Sequence, residues 1–173
     1  MKKNIYELIA LRKSVRSYKP DPVPDELIRK LLEMARLAPS ASNRQEWRFI
    51  AVTDEENRRL LADAACRQRF VAEAPVILVC CAEPDGHVMT CGQPSYPIDV
   101  AIAIDHITLC AVEEGLGTCW IGAFYEDEVK RILNIPKHIR IVELLTLGYP
   151  KNPGRKIKDR LPFSEIVKFE KWK

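Results

Sequence analysis

The sequence contains no apolar run long enough to cross a membrane and no N-terminal stretch of the kind that directs secretion. Its first residues are basic and apolar, but Glu7, Arg12 and Lys13 interrupt them, which is typical of an amphipathic helix. The formal net charge of +3 is too small to indicate binding to nucleic acid. These absences predict a cytoplasmic protein that has neither a membrane nor a nucleic acid as its partner.

Metal-binding and dinucleotide-binding signatures are missing as well. The six cysteines form no CxxC pair, and no His or Cys cluster has the spacing of a metal site. Buried thiols in a reducing compartment are the favoured interpretation, with a redox disulfide left open for Cys91 or Cys119. Because the sequence has no GxGxxG element, it predicts no Rossmann domain for a nicotinamide cofactor.

The pattern that is present predicts one α/β or α+β domain over residues 1–173. A chain of this length can bury roughly 70% of its unfolded surface, and the composition, 47% apolar and 29% charged, is that of a globular protein. Helical spacing and strand-length apolar runs alternate along it. The predicted helices cover residues 5–13, 25–38 with Asp25 as the cap, 55–68 with Asp54 as the cap, 98–114 and 126–135. The predicted strands cover residues 48–53, 76–82, 118–124 and 139–150, and residues 83–97 form a loop.

The predicted helix 98–114 is apolar around most of its circumference. In a small domain, such a helix either lies at the centre or packs against another chain. Ala101, Ala103 and Ala111 would permit a close approach between helices. The sequence alone leaves both interpretations open.

Three separated segments carry residues suited to a bound anionic cofactor. They are Arg12-Lys13-Ser14-Val15-Arg16, Pro39-Ser40-Ala41-Ser42-Asn43-Arg44-Gln45-Glu46-Trp47 and Gly117-Thr118-Cys119-Trp120-Ile121-Gly122-Ala123-Phe124, with Lys158-Asp159-Arg160 much later. Each is weak alone, because a charge run such as RKSVR is usually a solvated helix end. Together and in this order they are specific.

This combination resembles the nitroreductase superfamily, and the resemblance covers nearly the whole chain. The strand run APVILVCCA, the apolar helix before GLGTCWIGAF, and LLTLGYP belong to it as well. The resemblance implies a nitroreductase-like α+β fold with a mixed central sheet flanked by helices. It also implies an intertwined homodimer with FMN at the subunit interface, reduced by NADH or NADPH in a ping-pong reaction.

The resemblance assigns the cations and hydroxyls of the first and last segments to the flavin. Because the FMN phosphate is nearly dianionic, its site needs several cations and donors. The residues that match phosphate and ribityl contacts are Arg12, Ser14, Lys158 and Arg160, and Lys13 is expected to contribute mainly through its backbone or its aliphatic stem. Arg16 matches the position that stabilises negative charge around flavin N1 and O2, and Arg69 is a second candidate, although it lies in a generally basic stretch.

The other two segments match positions around the flavin ring. Pro39, Ser40, Ala41 and Asn43, joined by Gln45, match a turn that reaches the ring from the partner subunit. Gly122 and Ala123 match a strand end whose backbone N–H faces flavin N5, and close main-chain approach there favours glycine. No side chain is expected to act as nucleophile or general base, because the flavin carries the chemistry.

The sequence departs from the family in two places. Many relatives carry a helical insertion over the flavin, where this chain has only residues 83–96, and the usual proline of the second motif is Glu46. The expected activity is hydride transfer from NAD(P)H to a small acceptor such as a nitroaromatic or quinone. The alternatives are a free-flavin reductase, a dehalogenase, a flavin-modifying enzyme, or a non-catalytic FMN storage or sensor dimer.

Overall fold

A computed structural model of the protein describes residues 3–153 and 160–172. Within these ranges, no helix is both long and apolar enough to cross a membrane. The helices are α1 (Ile5–Leu11), α2 (Asp25–Arg36), α3 (Glu55–Ala64), α4 (Arg69–Glu73), α5 (Tyr96–Glu113), α6 (Glu126–Leu133) and α7 (Phe163–Ile166). The strands are β1 (Trp47–Val52), β2 (Val76–Ala82), β3 (Gly117–Ile121) and β4 (Arg140–Gly148).

The four strands form one sheet in the order β1-β2-β4-β3, and every neighbouring pair is antiparallel. All seven residues of β2 are buried, which confirms the prediction of a strand covered on both faces. One apolar cluster packs α2 and α5 against the first face of the sheet, and a second packs α3, α4 and α6 against the other. The predicted α+β fold with flanking helices is confirmed. Within the part of the chain that the structure describes, the one parallel pairing is an isolated bridge between Ser14 and Thr118.

Helix boundaries follow from local chemistry that the sequence partly reveals. Asn4 and Glu7 form a reciprocal capping box at the start of α1. Asp54 caps α3 as predicted, since its side chain accepts from the N–H of Asn57. Asn134 takes a left-handed conformation with φ of 54° and ends α6 ahead of Pro136.

Three predicted boundaries were wrong. The first helix ends at Leu11, because Arg12 already has a ψ of 127°. Asp25 is the first residue of α2 rather than its cap, and no side chain caps that helix. The third helix ends at Ala64, because the chain turns at Cys66 and Arg67, which both have positive φ. The short helix α4 that follows was not predicted.

Helix α5 has one side buried in the domain and another side exposed, so both interpretations of its apolar sequence stay compatible with the structure. Val100, Ile104 and Ile107 are fully buried against the sheet, so the helix is central to the domain. Its opposite side lines an open groove formed by Pro97, Ile98, Ala101, Ile102, Asp105 and His106. One chain therefore leaves an apolar strip of its central helix exposed.

Candidate functional site

The RKSVR segment lies directly beside strand β3. The N–H of Val15 donates a 2.8 Å hydrogen bond to the carbonyl of Thr118. A β-carbon at Gly117 would lie 2.5 Å from the Val15 side chain, so only glycine permits this approach. The structure thereby brings together the first and third sequence motifs, which are about a hundred residues apart.

Tyr18 fixes the RKSVR segment against the sheet. Its hydroxyl donates to the carbonyl of Val15 at 2.7 Å and lies 2.7 Å from the hydroxyl of Thr146. The N–H of Lys19 then donates to Tyr149, just beyond β4. Burial raises the pKa of Tyr18, so the hydroxyl remains a neutral donor. Sequence reasoning did not assign Tyr18 a role, although it stands within the RKSVRSY motif.

Arg16, α4 and the end of β3 converge at one corner of the molecule. The Arg16 guanidinium carbon lies 5.9 Å from the centre of the Phe70 ring, a cation–π distance. The side-chain amide of Gln68 donates to the carbonyl of Ala123 at 3.4 Å. Arg69 stands between Gln68 and Phe70 and is exposed. The structure thus brings Arg16, Arg69 and Ala123 to the same neighbourhood, as a shared site requires.

The predicted phosphate-binding residues follow the end of α1. Arg12, Lys13 and Ser14 are all half-buried. The Lys13 ammonium donates to the carbonyl of Asn152 at 3.3 Å, which ties this segment to the chain beyond β4. Arg160 is exposed, and Lys158 lies outside the described residues. Their contacts with a phosphate stay predictions.

The second motif forms a tight turn at the start of α5. Residues Ala41–Asn43 make a single 3-10 turn, and Asn43 and Gln45 both have a φ of 55°. The N–H of Ala41 donates to both carboxylate oxygens of Asp99, at 3.1 and 3.2 Å. The N–H of Gln45 donates to the Ser40 hydroxyl at 3.1 Å. These bonds fix the backbone of the predicted flavin-contacting turn.

Glu46 has a structural role that the sequence did not reveal. The residue is only 5% exposed. One carboxylate oxygen accepts from the N–H of Asp85 at 2.9 Å, and the other accepts from the Ser95 hydroxyl at 3.1 Å. Glu46 therefore attaches the loop between β2 and α5 to the turn before β1. A proline at this position could make neither contact.

The turn and the Arg16 corner lie at the same end of the sheet but at opposite edges. The register pairs Trp47 with Ala82, Ala82 with Arg140, and Ile121 with Leu144. Through Leu144 and Val79, the end of β3 is level with Ile50 in β1, so the two edges are three strand spacings, or about 14 Å, apart. The start of β1 lies three residues, or about 10 Å, further toward that end of the sheet. Within the described residues, the hydrogen bonds of the turn reach neither residues 12–16 nor Ala123. One chain thus presents two separated halves of the predicted site.

Gly122 offers an open surface at the end of β3. A β-carbon built there would meet only the two carboxylate oxygens of Glu143, each at 3.7 Å, which is ordinary contact. The backbone of Gly122 and Ala123 is exposed. Local packing does not demand glycine here, so the space above this backbone suits a flat group that approaches the main chain closely.

The described residues contain no cluster of His, Cys, Asp and Glu that would hold a metal ion. Cys80, Cys81 and Cys119 are buried, and burial raises the pKa of Cys81 to about 11. Cys66 and Cys91 are exposed. The three buried positions agree with the interpretation of buried thiols as packing groups, and Cys66 and Cys91 do not fit it.

Comparisons with known proteins identify similar chains over most of this length. The nitroreductase family model matches residues 9–83 and 62–149. An NADH dehydrogenase of Thermus thermophilus is 33% identical, with 90% of this chain and 91% of that protein covered.

Two solved structures are also similar. A nitroreductase family protein of Clostridium novyi NT superposes with a TM-score of 0.82 at 35% identity, covering 90% of each chain. An NADPH:FMN oxidoreductase of Vibrio harveyi, solved with NAD⁺, gives a TM-score of 0.89 at 27% identity, covering 99% of this chain and 79% of that one.

Proposed function

The chain belongs to the nitroreductase family and is an oxidoreductase that uses FMN and NAD(P)H, and from this premise we propose that it reduces a small acceptor such as a nitroaromatic or quinone. Bound FMN supplies the chemistry by accepting a hydride from NADH or NADPH and passing it on to the acceptor. The protein supplies binding, orientation and charge.

The observation that carries this proposal is the corner where Arg16, the start of α4 and Ala123 meet. A flavin that gains two electrons needs a cation near its pyrimidine ring and a donor near N5. Arg16 can supply the first, held against Phe70 at 5.9 Å. The exposed backbone of Gly122 and Ala123 can supply the second, because Glu143 is the only described residue that borders the space above Gly122.

The phosphate end of the cofactor fits the segment that precedes Arg16. Arg12 and Ser14 lie on the same extended stretch, and Lys13 ties it to Asn152. Because arginine can bind two phosphate oxygens at once, Arg12 and Arg160 are the proposed phosphate ligands. Lys158 is retained as a third cation.

We further propose a homodimer in which each cofactor contacts both chains. The two halves of the site on one chain lie at opposite sheet edges, at least three strand spacings or about 14 Å apart. A partner chain packed along the α5 groove would present its own turn, Pro39 to Gln45, to the Arg16 corner. The groove lined by Ile98, Ala101 and Ile102 offers the apolar surface for this contact.

The first test measures cofactor content and turnover. The purified protein should hold about one FMN per chain, NADH or NADPH should bleach its absorption, and a quinone should restore it. Arg12→Ala should lower FMN affinity at least tenfold and leave the far-ultraviolet circular dichroism unchanged. Arg131→Ala, an exposed arginine on α6, is the matched control and should retain full FMN binding.

Two results would overturn these assignments. A protein that binds no FMN when the cofactor is supplied would contradict the whole proposal. Full flavin occupancy in the Arg12→Ala variant would contradict only the phosphate site.

A further inference from the structure

Glu143 lies beside the candidate site and has no role so far. In the register of β3 and β4, Ile121 pairs with Leu144, so the next position sets Gly122 opposite Glu143. Both carboxylate oxygens of Glu143 lie 3.7 Å from the point where a β-carbon of residue 122 would stand. The carboxyl group therefore borders the space that a side chain at residue 122 would fill, one residue from Ala123.

The surroundings of Glu143 are unusual for a carboxylate. The side chain is half-buried and makes no hydrogen bond or ion pair with any residue in the described ranges. Cys80 faces it from β2, and burial raises the pKa of that thiol well above its usual range, so it stays neutral. Gly122 faces it from β3 and has no side chain. Partial burial without a cation among the described residues shifts the equilibrium of this carboxyl group toward its protonated form relative to water.

Burial alone raises the pKa of Glu143. A cofactor and an acceptor lying over Gly122 would remove more water from the carboxyl group. A negatively charged reduced flavin nearby would act in the same direction, because a like charge disfavours ionisation. The group is thus most strongly protonated at the stage when an acceptor needs a proton.

We propose that Glu143 is the acid that delivers the proton to the acceptor at this site. The inference rests on the proposed function and assigns a catalytic residue to it. Its basis is the placement of a carboxyl group, which has no partner among the described residues, across from the exposed backbone of Gly122.

For a quinone acceptor, the electrons and protons of this transfer balance. One hydride equivalent from the reduced cofactor and one proton together convert a quinone to a hydroquinone. The O–H bond of Glu143 breaks while an O–H bond forms on the acceptor, and the carboxylate then regains a proton from water. Positioned acids of this kind contribute about 10²- to 10⁴-fold to a rate.

The decisive experiment compares two acceptors in the FMN-loaded protein. Glu143→Gln keeps the size of the side chain and removes the acid. We expect it to slow reoxidation by a quinone at least about 100-fold. Reoxidation by ferricyanide, which takes single electrons and no proton, should change less than about twofold, as should flavin reduction by NAD(P)H. Glu83→Gln, an exposed carboxylate paired with Arg48 at the same end of the sheet, is the control and should behave as the wild type.

A second measurement does not depend on turnover. The infrared spectrum of the cofactor-free protein should contain the carbonyl band of a protonated carboxyl group that Glu143→Gln lacks, and this band should fade as pH rises. Its absence throughout the acid range would contradict the inference. Equal quinone rates in variant and wild type, or an equal loss with both acceptors, would also contradict it. A wild-type protein that binds FMN but is never reduced by NAD(P)H would instead contradict the proposed function.

Discussion

The hydroxyl of Tyr18 donates a 2.7 Å hydrogen bond to the carbonyl oxygen of Val15, three residues earlier in the same segment. This bond closes the bend that follows the predicted phosphate-binding residues, and the contact with Thr146 anchors that bend to β4. The position of Arg16 therefore depends on a buried hydroxyl that need not touch the cofactor.

Tyr18→Phe should lower both stability and cofactor affinity. Without the Tyr18 hydroxyl, the buried Val15 carbonyl and Thr146 hydroxyl each lose a hydrogen-bond partner. This loss should lower the free energy of unfolding by about 1–3 kcal/mol. Urea denaturation measures the loss, and FMN titration should show an affinity reduced several-fold. Tyr6→Phe, at a residue 81% exposed, is the control and should change neither. An unaltered midpoint in Tyr18→Phe would show that this anchor is dispensable.

Glu46→Ala should loosen the loop between β2 and α5. The Asp85 N–H and the Ser95 hydroxyl would lose their shared acceptor, so we expect a loss of about 2 kcal/mol in the free energy of unfolding. Limited proteolysis should then cut within residues 83–94 faster than in the wild type. Glu83→Ala breaks only exposed ion pairs, with Arg48 and His138, and should cost less than about 1 kcal/mol. Equal cleavage rates in the two variants would refute the role of Glu46.

The ionised side chain of Glu126 stabilises the folded protein, and this stabilisation is lost in acid. Although partial burial opposes it, hydrogen bonds from the Ile141 N–H, Arg140 and Lys130 lower the pKa of Glu126 to about 2. Because the folded-state pKa is the lower one, the contribution is complete above the unfolded value near 4.5 and disappears as pH falls toward 2. Allowing for solvent screening at this partly exposed site, the contribution is about 2 kcal/mol.

The measurement is the free energy of unfolding of Glu126→Gln at several pH values. The variant should be less stable than the wild type at pH 7, and the difference should shrink between pH about 4.5 and pH about 2. Glu128→Gln, an exposed residue on the same helix, is the control and should show no such trend. A difference that stays constant with pH would exclude the carboxylate as its source.

The elements that the sequence predicted well are those with local signals. Strand β2 follows from seven consecutive apolar residues, and α3 begins where Asp54 can cap it. The pairing of Val15 with Thr118 brings together the segments of Arg16 and Gly122, which the family motifs predicted to share a site, and their contacts with a flavin stay predictions. In each case, adjacent residues or a short motif were sufficient.

The features that the sequence did not predict depend on distant contacts. Helix α4 follows a turn made by Cys66 and Arg67 in positive φ, where neither glycine nor proline marks a break. The hydrogen-bond partners of buried Glu46, which are Asp85 and Ser95, lie 39 and 49 residues away in the sequence. Glu143 stands in an apolar strand pattern, and only the strand register shows that it faces Gly122. Such relationships arise from tertiary packing, which periodicity does not encode.

The exposed groove on α5 allows a direct test of the proposed dimer. Ala101→Glu keeps a good helix former and puts a charge in the groove, where burial against a partner would be costly. Sedimentation should show a shift toward the monomer, and FMN affinity should fall with it, because each site would lose the partner's turn. Leu60→Glu, at a residue 38% exposed on α3, places the same charge away from the groove and should leave both unchanged. A monomeric Ala101→Glu variant with undiminished FMN affinity would mean that one chain forms the whole cofactor site, and the turn would then need another role.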